Sequence, residues 1–331
     1  MKALVYTTPL EMTYMDQASP EPINGDALIR IDAVGICGSD MHAYQGHDPR
    51  RLPPLVLGHE VSGLVEIGSQ AGRRVILNPL ITCGVCHYCR TGRENICSNR
   101  TMIGMTRPGG YAEAVALPEQ CLVYVDEEMD PVKAALTEPA ATGLHGLALA
   151  SRVLARPISE SRALVIGAGS VGLLTALLLR HQGCEHIVIA ETNALRREPA
   201  IAEGFDNVIN PIDSPPSENG FDLVVDCVGG EKTRALAMHA TAPGGVFLHI
   251  GLMDNNGGID ARKMTLSEII VIGAYTYTHT DLQVAADKLA SGAYGSLEWV
   301  LTRPLEQGPE TFRELLEGRI AAPKVVLMPE G

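Results

Sequence analysis

Positive charge is scarce in this chain. Its 26 Lys and Arg residues stand against 39 Asp and Glu, a formal net charge of -13 at pH 7. A surface of that sign repels phosphate backbones and anionic lipid headgroups, so nucleic acid and membrane are not expected as partners. Long apolar runs are lacking too. The most apolar helical stretch, 171–179, falls well short of the roughly 20 residues that span a bilayer, and the run 2–6 is too short for a secretory signal. Internal repeats and low-complexity tracts are also missing, which argues against a solenoid or a disordered tail. These absences together predict a cytoplasmic protein acting on small molecules.

At 331 residues the chain exceeds the size at which single cores stop growing, about 250–300 residues, so two domains are expected. Short apolar runs at 2–6, 27–34, 60–67, 74–77, 111–117 and 121–125, cut by Gly, Pro and Asn, predict a β-rich half. From about residue 160 the pattern becomes a strand and helix alternation. Strands are expected at 163–167, 187–190, 223–226, 246–250 and 269–273, the first followed by a helix over 171–182. That alternation predicts an α/β unit with a doubly wound parallel sheet. One amphipathic helix, 281–290, and a last apolar run, 324–327, form a tail expected to rejoin the first domain.

Four of the eight cysteines crowd into Cys83-Gly-Val-Cys86-His-Tyr-Cys89 and Cys97. Packing gives no reason for thiols at two-residue gaps, whereas four thiolates are a complete tetrahedral zinc set, with Gly84 and Gly92 freeing the loop to wrap. A fully ligated ion leaves no place for substrate, so this zinc is expected to brace a lobe.

A second donor set is dispersed: Cys37, His59 with Glu60 beside it, and Glu138. One thiolate, one imidazole and one carboxylate leave a coordination position open, as catalytic zinc requires, and the ion there would act as a Lewis acid on an alcohol. Which of Glu60 and Glu138 ligates stays open. Ser39 and His42 follow Cys37 closely enough to carry the alcohol proton to water. A surface serine and histidine are the plain alternative.

Gly167-Ala168-Gly169-Ser170-Val171-Gly172 fits G-x-G-x-x-G between an expected strand and an expected helix, the context in which backbone N–H groups receive a pyrophosphate. Glu191 ends the next strand, where an acid binds the adenosine ribose hydroxyls and repels a 2′-phosphate, favouring NAD. Arg196 and Arg197 just beyond offer a competing anion site, so NADP remains the alternative.

With both metal signatures and the nucleotide fingerprint in this order, the sequence resembles the zinc-containing medium-chain dehydrogenase/reductase family over essentially its whole length. The resemblance implies a GroES-like catalytic domain of residues 1–140 and 274–331, a Rossmann domain of residues 141–273, and an active site in the cleft between. It also implies that Cys37 and His59 bind the catalytic zinc, and that Glu60 and Glu138 share the acidic role. The acid at 138 makes the chain similar to the sorbitol, threonine and sugar-alcohol-phosphate dehydrogenase branch. Thr142, the turn 225–229 with Val228, Gly251 and the segment 272–274 ending in Ala274 resemble the family's coenzyme floor. Where sorbitol dehydrogenases carry Phe-Arg-Tyr, this chain reads Tyr275-Thr276-Tyr277, which removes a polyol-contacting arginine. The connection 69–74 is also shorter than usual, with Arg73 in place of an Asp.

The function expected is reversible oxidation of a secondary alcohol (a polyol, sugar derivative or hydroxy amino acid) by NAD, with two zinc ions per subunit. A homo-dimer or homo-tetramer is expected by analogy. The alternatives are an NADP-dependent aldehyde or sugar dehydrogenase of the same fold, and a nucleotide-binding regulatory protein without turnover.

Overall fold

A computed structural model of the chain describes residues 1–23, 25–320 and 322–329. The backbone separates into two compact units: 1–138 with 278–290 and 300–331, and 139–277 with 291–299.

The first unit is built on strands that pair antiparallel, except Val300–Pro304, which runs parallel to Lys324–Met328. In Asp26–Gly35 the residues Ala27, Ile29 and Ile31 are buried while their neighbours are half-exposed, so one face of the strand seals a core, and from Ala33 onward the strand is buried on both faces. Its sheet runs in the order Leu122–Tyr124, Arg74–Leu77, Glu60–Ile67, Asp26–Gly35, Lys324–Met328, Val300–Pro304, and Ala114–Pro118 also pairs with Asp26–Gly35. A smaller sheet joins Glu11–Asp16, Lys2–Thr8 and Leu55–Val56. The core between them includes Leu4, Ile29, Val61, Tyr111 and Phe312. Phe312 brings its ring centroid within 5.3 Å of Tyr44 and 5.8 Å of Tyr111.

Two registers matter for chemistry. Gly35 lies opposite Glu60 in one antiparallel pair, and opposite Val326 in the other. The ends of three strands far apart in sequence therefore meet at residues 35–37, 59–60 and 324–326.

The second unit is a six-stranded, all-parallel sheet in the order Val208–Ile209, His186–Ala190, Arg162–Ile166, Phe221–Asp226, Thr241–His249, Ile270–Gly273. Its central strand, Arg162–Ile166, is apolar and buried after its first residue, as a strand covered on both faces must be. The chain builds outward from it on one side, then crosses back to Phe221–Asp226 on the other. The crossing leaves a switch point at the carboxyl ends of the central strands, where such sheets bind ligands.

Three features depart from the sequence expectations. The strand expected at 111–117 is Ala114–Pro118, because residues 109–111 hydrogen-bond across to Val56, Leu57 and Gly58, and Leu4 N–H is given to the Tyr111 carbonyl. Glu11–Asp16, Val300–Pro304 and the helix Gly308–Leu316 are elements that the apolar pattern did not announce. Within the tail, 291–299 packs with the second unit, where Ser296 Oγ donates to Glu203 Oε1 at 2.8 Å.

Candidate metal centres and coenzyme site

In the first unit Cys37, His59 and Glu60 bring one donor atom each to within 4.8 Å of one another. Cys37 is half-buried and the other two are buried. Strand register explains the meeting: with Gly35 opposite Glu60, the chain leaving one strand at Cys37 passes the chain entering the other at His59. Gly35 lets the carboxylate lie against this strand, since a β-carbon on it would press on Glu60 Oε2 and displace it. Glu138 is also buried, and its charge acts on Lys324, yet it stands outside the three-donor set.

Asp40 organises this set. Fully buried on the helix Gly38–Tyr44, it accepts from Cys37 N–H at 3.1 Å and from Tyr111 Oη at 2.7 Å, and its Oδ1 faces His59 Nδ1 at 3.4 Å. With Nδ1 turned to a carboxylate, Nε2 is the nitrogen left for a metal, the usual carboxylate–histidine–metal arrangement. Burial alone would push the Asp40 carboxyl up, but the charges of His59 and Arg51 and the bond from the Tyr111 hydroxyl hold it below the ordinary carboxylate range. Burial likewise pulls His59 down, and Asp40 reverses it to well above the usual histidine value. A metal binding here must displace that proton.

Lys324 was not foreseen from the sequence. It is 2% exposed, and its Nζ donates to both Glu60 oxygens at 2.6 Å and to the Ile36 carbonyl at 2.8 Å. Burial would lower its pKa, but Glu60, Cys37 and Glu138 hold it above the ordinary lysine value. Arg51 was missed too. Buried, it donates Nη1 to the Ser39 carbonyl at 2.7 Å, Nη2 to Ser39 Oγ at 3.2 Å and Nε to the Gly104 carbonyl at 3.1 Å. His42 sits one turn after Ser39, half-buried; burial first, then His47 and Arg51, push its pKa below the ordinary value against an opposing Asp48.

The thiols of Cys83, Cys86, Cys89 and Cys97 form the second cluster, with Sγ–Sγ distances of 3.5 Å (Cys83–Cys97 and Cys86–Cys89), 3.8 Å (Cys86–Cys97) and 3.9 Å (Cys83–Cys89). None is in a disulfide. Backbone N–H groups of Val85 and Cys86 pull the Cys83 thiol down to about 6, as expected of a sulfur prepared to be a thiolate. Four thiols at these spacings suit one tetrahedral ion.

In the second unit the expected fingerprint forms the turn between Arg162–Ile166 and the helix Ser170–His181. Gly169 caps that helix and, having no side chain, gives its first N–H groups no capping bond of its own. A β-carbon on Gly172 would collide with the Gly167 carbonyl, so the helix can start this close to the turn only with glycine there. Ser170 and Val171 are half-buried at the helix start, the Val171 carbonyl accepting from Thr175 Oγ1 at 2.6 Å. Glu191 is buried beside the turn, accepting from Ala168 N–H and Asn193 N–H, both at 2.8 Å. Arg197 Nη1 is spent on the carbonyls of Glu191 and Thr192 at 2.9 Å, whereas Arg196 Nε is buried without a partner. Val228 N–H is held by Asp226 Oδ1 at 2.9 Å, Gly251 N–H by the Asp226 carbonyl at 3.0 Å, and Ala274 N–H by the His249 carbonyl at 3.0 Å. Thr142 is half-buried on the helix Thr137–Ser151.

An open three-donor metal set, a closed four-thiol set and a dinucleotide fold in one chain define a class, the metal-binding nucleotide-linked oxidoreductases. Residues 23–127 match the family model described as alcohol dehydrogenase GroES-like domain, and residues 170–291 the one described as zinc-binding dehydrogenase. An L-threonine 3-dehydrogenase from Saccharopolyspora erythraea is 31% identical over 295 residues, covering 83% of this chain and 84% of that protein. An alcohol dehydrogenase from Thermus sp. ATN1 superposes with a TM-score of 0.88 at 28% identity over 100% of both chains. A zinc-binding dehydrogenase of Sinorhizobium meliloti 1021, solved with NADP, gives 0.84 at 30% identity over 99% of both chains. The chain belongs to the zinc-containing medium-chain dehydrogenase/reductase family, with a GroES-like domain and a Rossmann-type parallel sheet. Among the described residues no helix is long and apolar enough to cross a membrane.

Proposed function

We propose that the chain oxidises a secondary alcohol, of the polyol, sugar-derivative or hydroxy-amino-acid class, reversibly to a ketone with NAD, and that it holds two zinc ions per subunit. The observation that carries this reading is the convergence of Cys37, His59 and Glu60 donor atoms within 4.8 Å, without a fourth protein donor in that set among the described residues. Bound there, zinc would supply Lewis-acid polarisation of the alcohol oxygen, and NAD would supply the hydride acceptor.

The chain's own residues do the rest. Cys37 and His59 hold the ion with Glu60, or with Glu138 when Glu60 remains on Lys324. Asp40 fixes the His59 ring. Lys324 balances one carboxylate charge, so the buried site is not left strongly anionic. Ser39 Oγ accepts from Arg51, which leaves its own proton to be passed on. His42, with its pKa pushed down, is neutral near pH 7 and able to receive that proton and return it to water. Cys83, Cys86, Cys89 and Cys97 brace their lobe around the second ion.

In the second unit the 167–172 turn and Glu191 receive the coenzyme, with Thr142, Val228, Gly251 and Ala274 along its path. Glu191 supports NAD; the unpartnered Nε of Arg196, and NADP in the Sinorhizobium meliloti relative, support NADP as the second reading. A homo-dimer or homo-tetramer accompanies the reading by analogy.

The test is absorbance at the reduced-nicotinamide band with secondary alcohols, polyols, polyol phosphates and L-threonine, offering NAD or NADP. Zinc-dependent reduction by one substrate class supports the proposal. NADH binding with silence across the panel favours a regulatory protein.

A further inference from the structure

Arg234 lies on the helix Glu231–Ala240 and is 5% exposed. Its guanidinium gives Nε to the Gly257 carbonyl at 2.9 Å, Nη1 to the carbonyls of Gly229 at 2.7 Å and Asp254 at 2.9 Å, and Nη2 to Asp254 Oδ1 at 2.5 Å and to the Asn256 carbonyl. One side chain thereby gathers two stretches of backbone: the turn after the strand Phe221–Asp226, and the loop 251–258 after the strand Thr241–His249.

These stretches touch. A β-carbon on Gly229 would collide with the Gly251 carbonyl, and one on Gly258 with the Glu231 carbonyl. Near its start the loop is tied by Met253 N–H to the Val228 carbonyl at 3.2 Å and by Asp254 N–H to the Gly229 carbonyl at 3.1 Å. Further on it has no regular structure, and its apolar side chains do not anchor it: Leu252 is 68% and Met253 54% exposed. The carbonyls of 254, 256 and 257 all turn instead to Arg234. Outside a helix or a sheet, a guanidinium with its five donors in a fixed fork is one of the few groups that can hold so many carbonyls at once.

We propose that Arg234 is a positioning residue for the coenzyme. It clamps the loop 251–258 against Val228 and Gly229, so that the backbone at Val228 and Gly251 is ordered before the coenzyme arrives and binding energy is not spent on ordering it. The proposal rests on the assignment of Val228 and Gly251 to the coenzyme site made above. Lysine cannot substitute, because a single ammonium reaches fewer of these acceptors and lacks the planar fork.

The experiment uses the full-length, zinc-loaded protein. NADH dissociation constants are measured by fluorescence for wild type, Arg234→Lys and Asp254→Ala, the last a milder change at a more exposed partner. With the ordered fraction of the loop reduced to about one tenth, Arg234→Lys should raise the NADH dissociation constant and the KM for NAD about tenfold, with kcat at saturating NAD unchanged. Asp254→Ala should raise both by a smaller factor. Amide exchange should quicken over 251–258 in both variants while the strands of the parallel sheet keep their wild-type protection, whereas a general loss of stability would quicken both. Wild type that binds NADH alongside variants that bind it equally well overturns the proposal and leaves the coenzyme assignment standing. Wild type that binds no NADH overturns both. If Arg234→Lys does not fold, Asp254→Ala decides by the same criteria.

Discussion

Removing the Lys324 ammonium tests the electrostatics of the three-donor site. In Lys324→Met the side chain keeps comparable length and apolar bulk but loses all three bonds, two to Glu60 and one to the Ile36 carbonyl. Glu60 is 1% exposed and Gly35 lies against its Oε2, so the orphaned carboxylate has little room to turn to water. Breaking a buried pair from one side costs about 3–5 kcal/mol, because the remaining charge stays desolvated. For a unit of this size that lowers the melting temperature by about 6–20 °C. Adding Glu60→Gln to the same chain removes the orphaned charge and should return most of the loss. Thermal melts followed by circular dichroism at fixed zinc content measure both. A single variant melting within about 2 °C of wild type, or a double variant no better than the single, would refute the buried, mutually compensated pair.

Asp40→Asn should weaken zinc at the Cys37 site by about 10–100-fold, the usual effect of losing a histidine's carboxylate partner, as read by competition with a chromogenic chelator. An unchanged affinity would show that Asp40 does not orient His59. His42→Gln should lower kcat by about a hundredfold near neutral pH. Because burial, His47 and Arg51 push His42 down, its neutral, proton-accepting form persists below pH 6.5, so the acidic limb of the wild-type alcohol-oxidation profile should lie below that value. A limb that the substitution does not move would exclude His42 from the proton path. Gly172→Ala should abolish NADH binding, through the collision with the Gly167 carbonyl, and destabilise the second unit by about 1–3 kcal/mol, while zinc content is retained. Undiminished NADH titration would contradict the placement of the coenzyme turn.

The parts of this site that were legible in the sequence are those whose chemistry is local. Three cysteines at two-residue gaps with a fourth close behind announce their cluster because the ligands wrap one loop, and the glycine turn announces itself because strand, turn and helix are consecutive. Cys37 and His59 were readable as donors by type, but their meeting depends on the Gly35 to Glu60 register, which a single chain does not display. Lys324 stands 264 residues from Glu60 and reads as the polar start of an apolar run; only the pairing of Val326 with Gly35 places it under the site. A lysine opening a strand whose other residues are almost all buried was the one available signal. Asp40 and Arg51 look like ordinary surface charges in the sequence and become buried through tertiary packing. The fold followed the same division. The parallel unit, whose central strands are buried apolar runs, was visible from its alternation, whereas Glu11–Asp16 and Val300–Pro304, half-exposed edge strands, carry too little apolar pattern to be seen.

Under the proposed function one zinc serves chemistry and the other serves structure. Metal analysis of the purified chain, with turnover measured on the same samples, tests it most directly when wild type is compared with Cys37→Ser and Cys86→Ser. Wild type should hold two zinc ions per chain and each variant one. Turnover should vanish in Cys37→Ser while its NADH binding and melting temperature persist, and Cys86→Ser should mainly lose thermal stability. One zinc in wild type, or full turnover in a Cys37→Ser chain that has lost its ion, would contradict it.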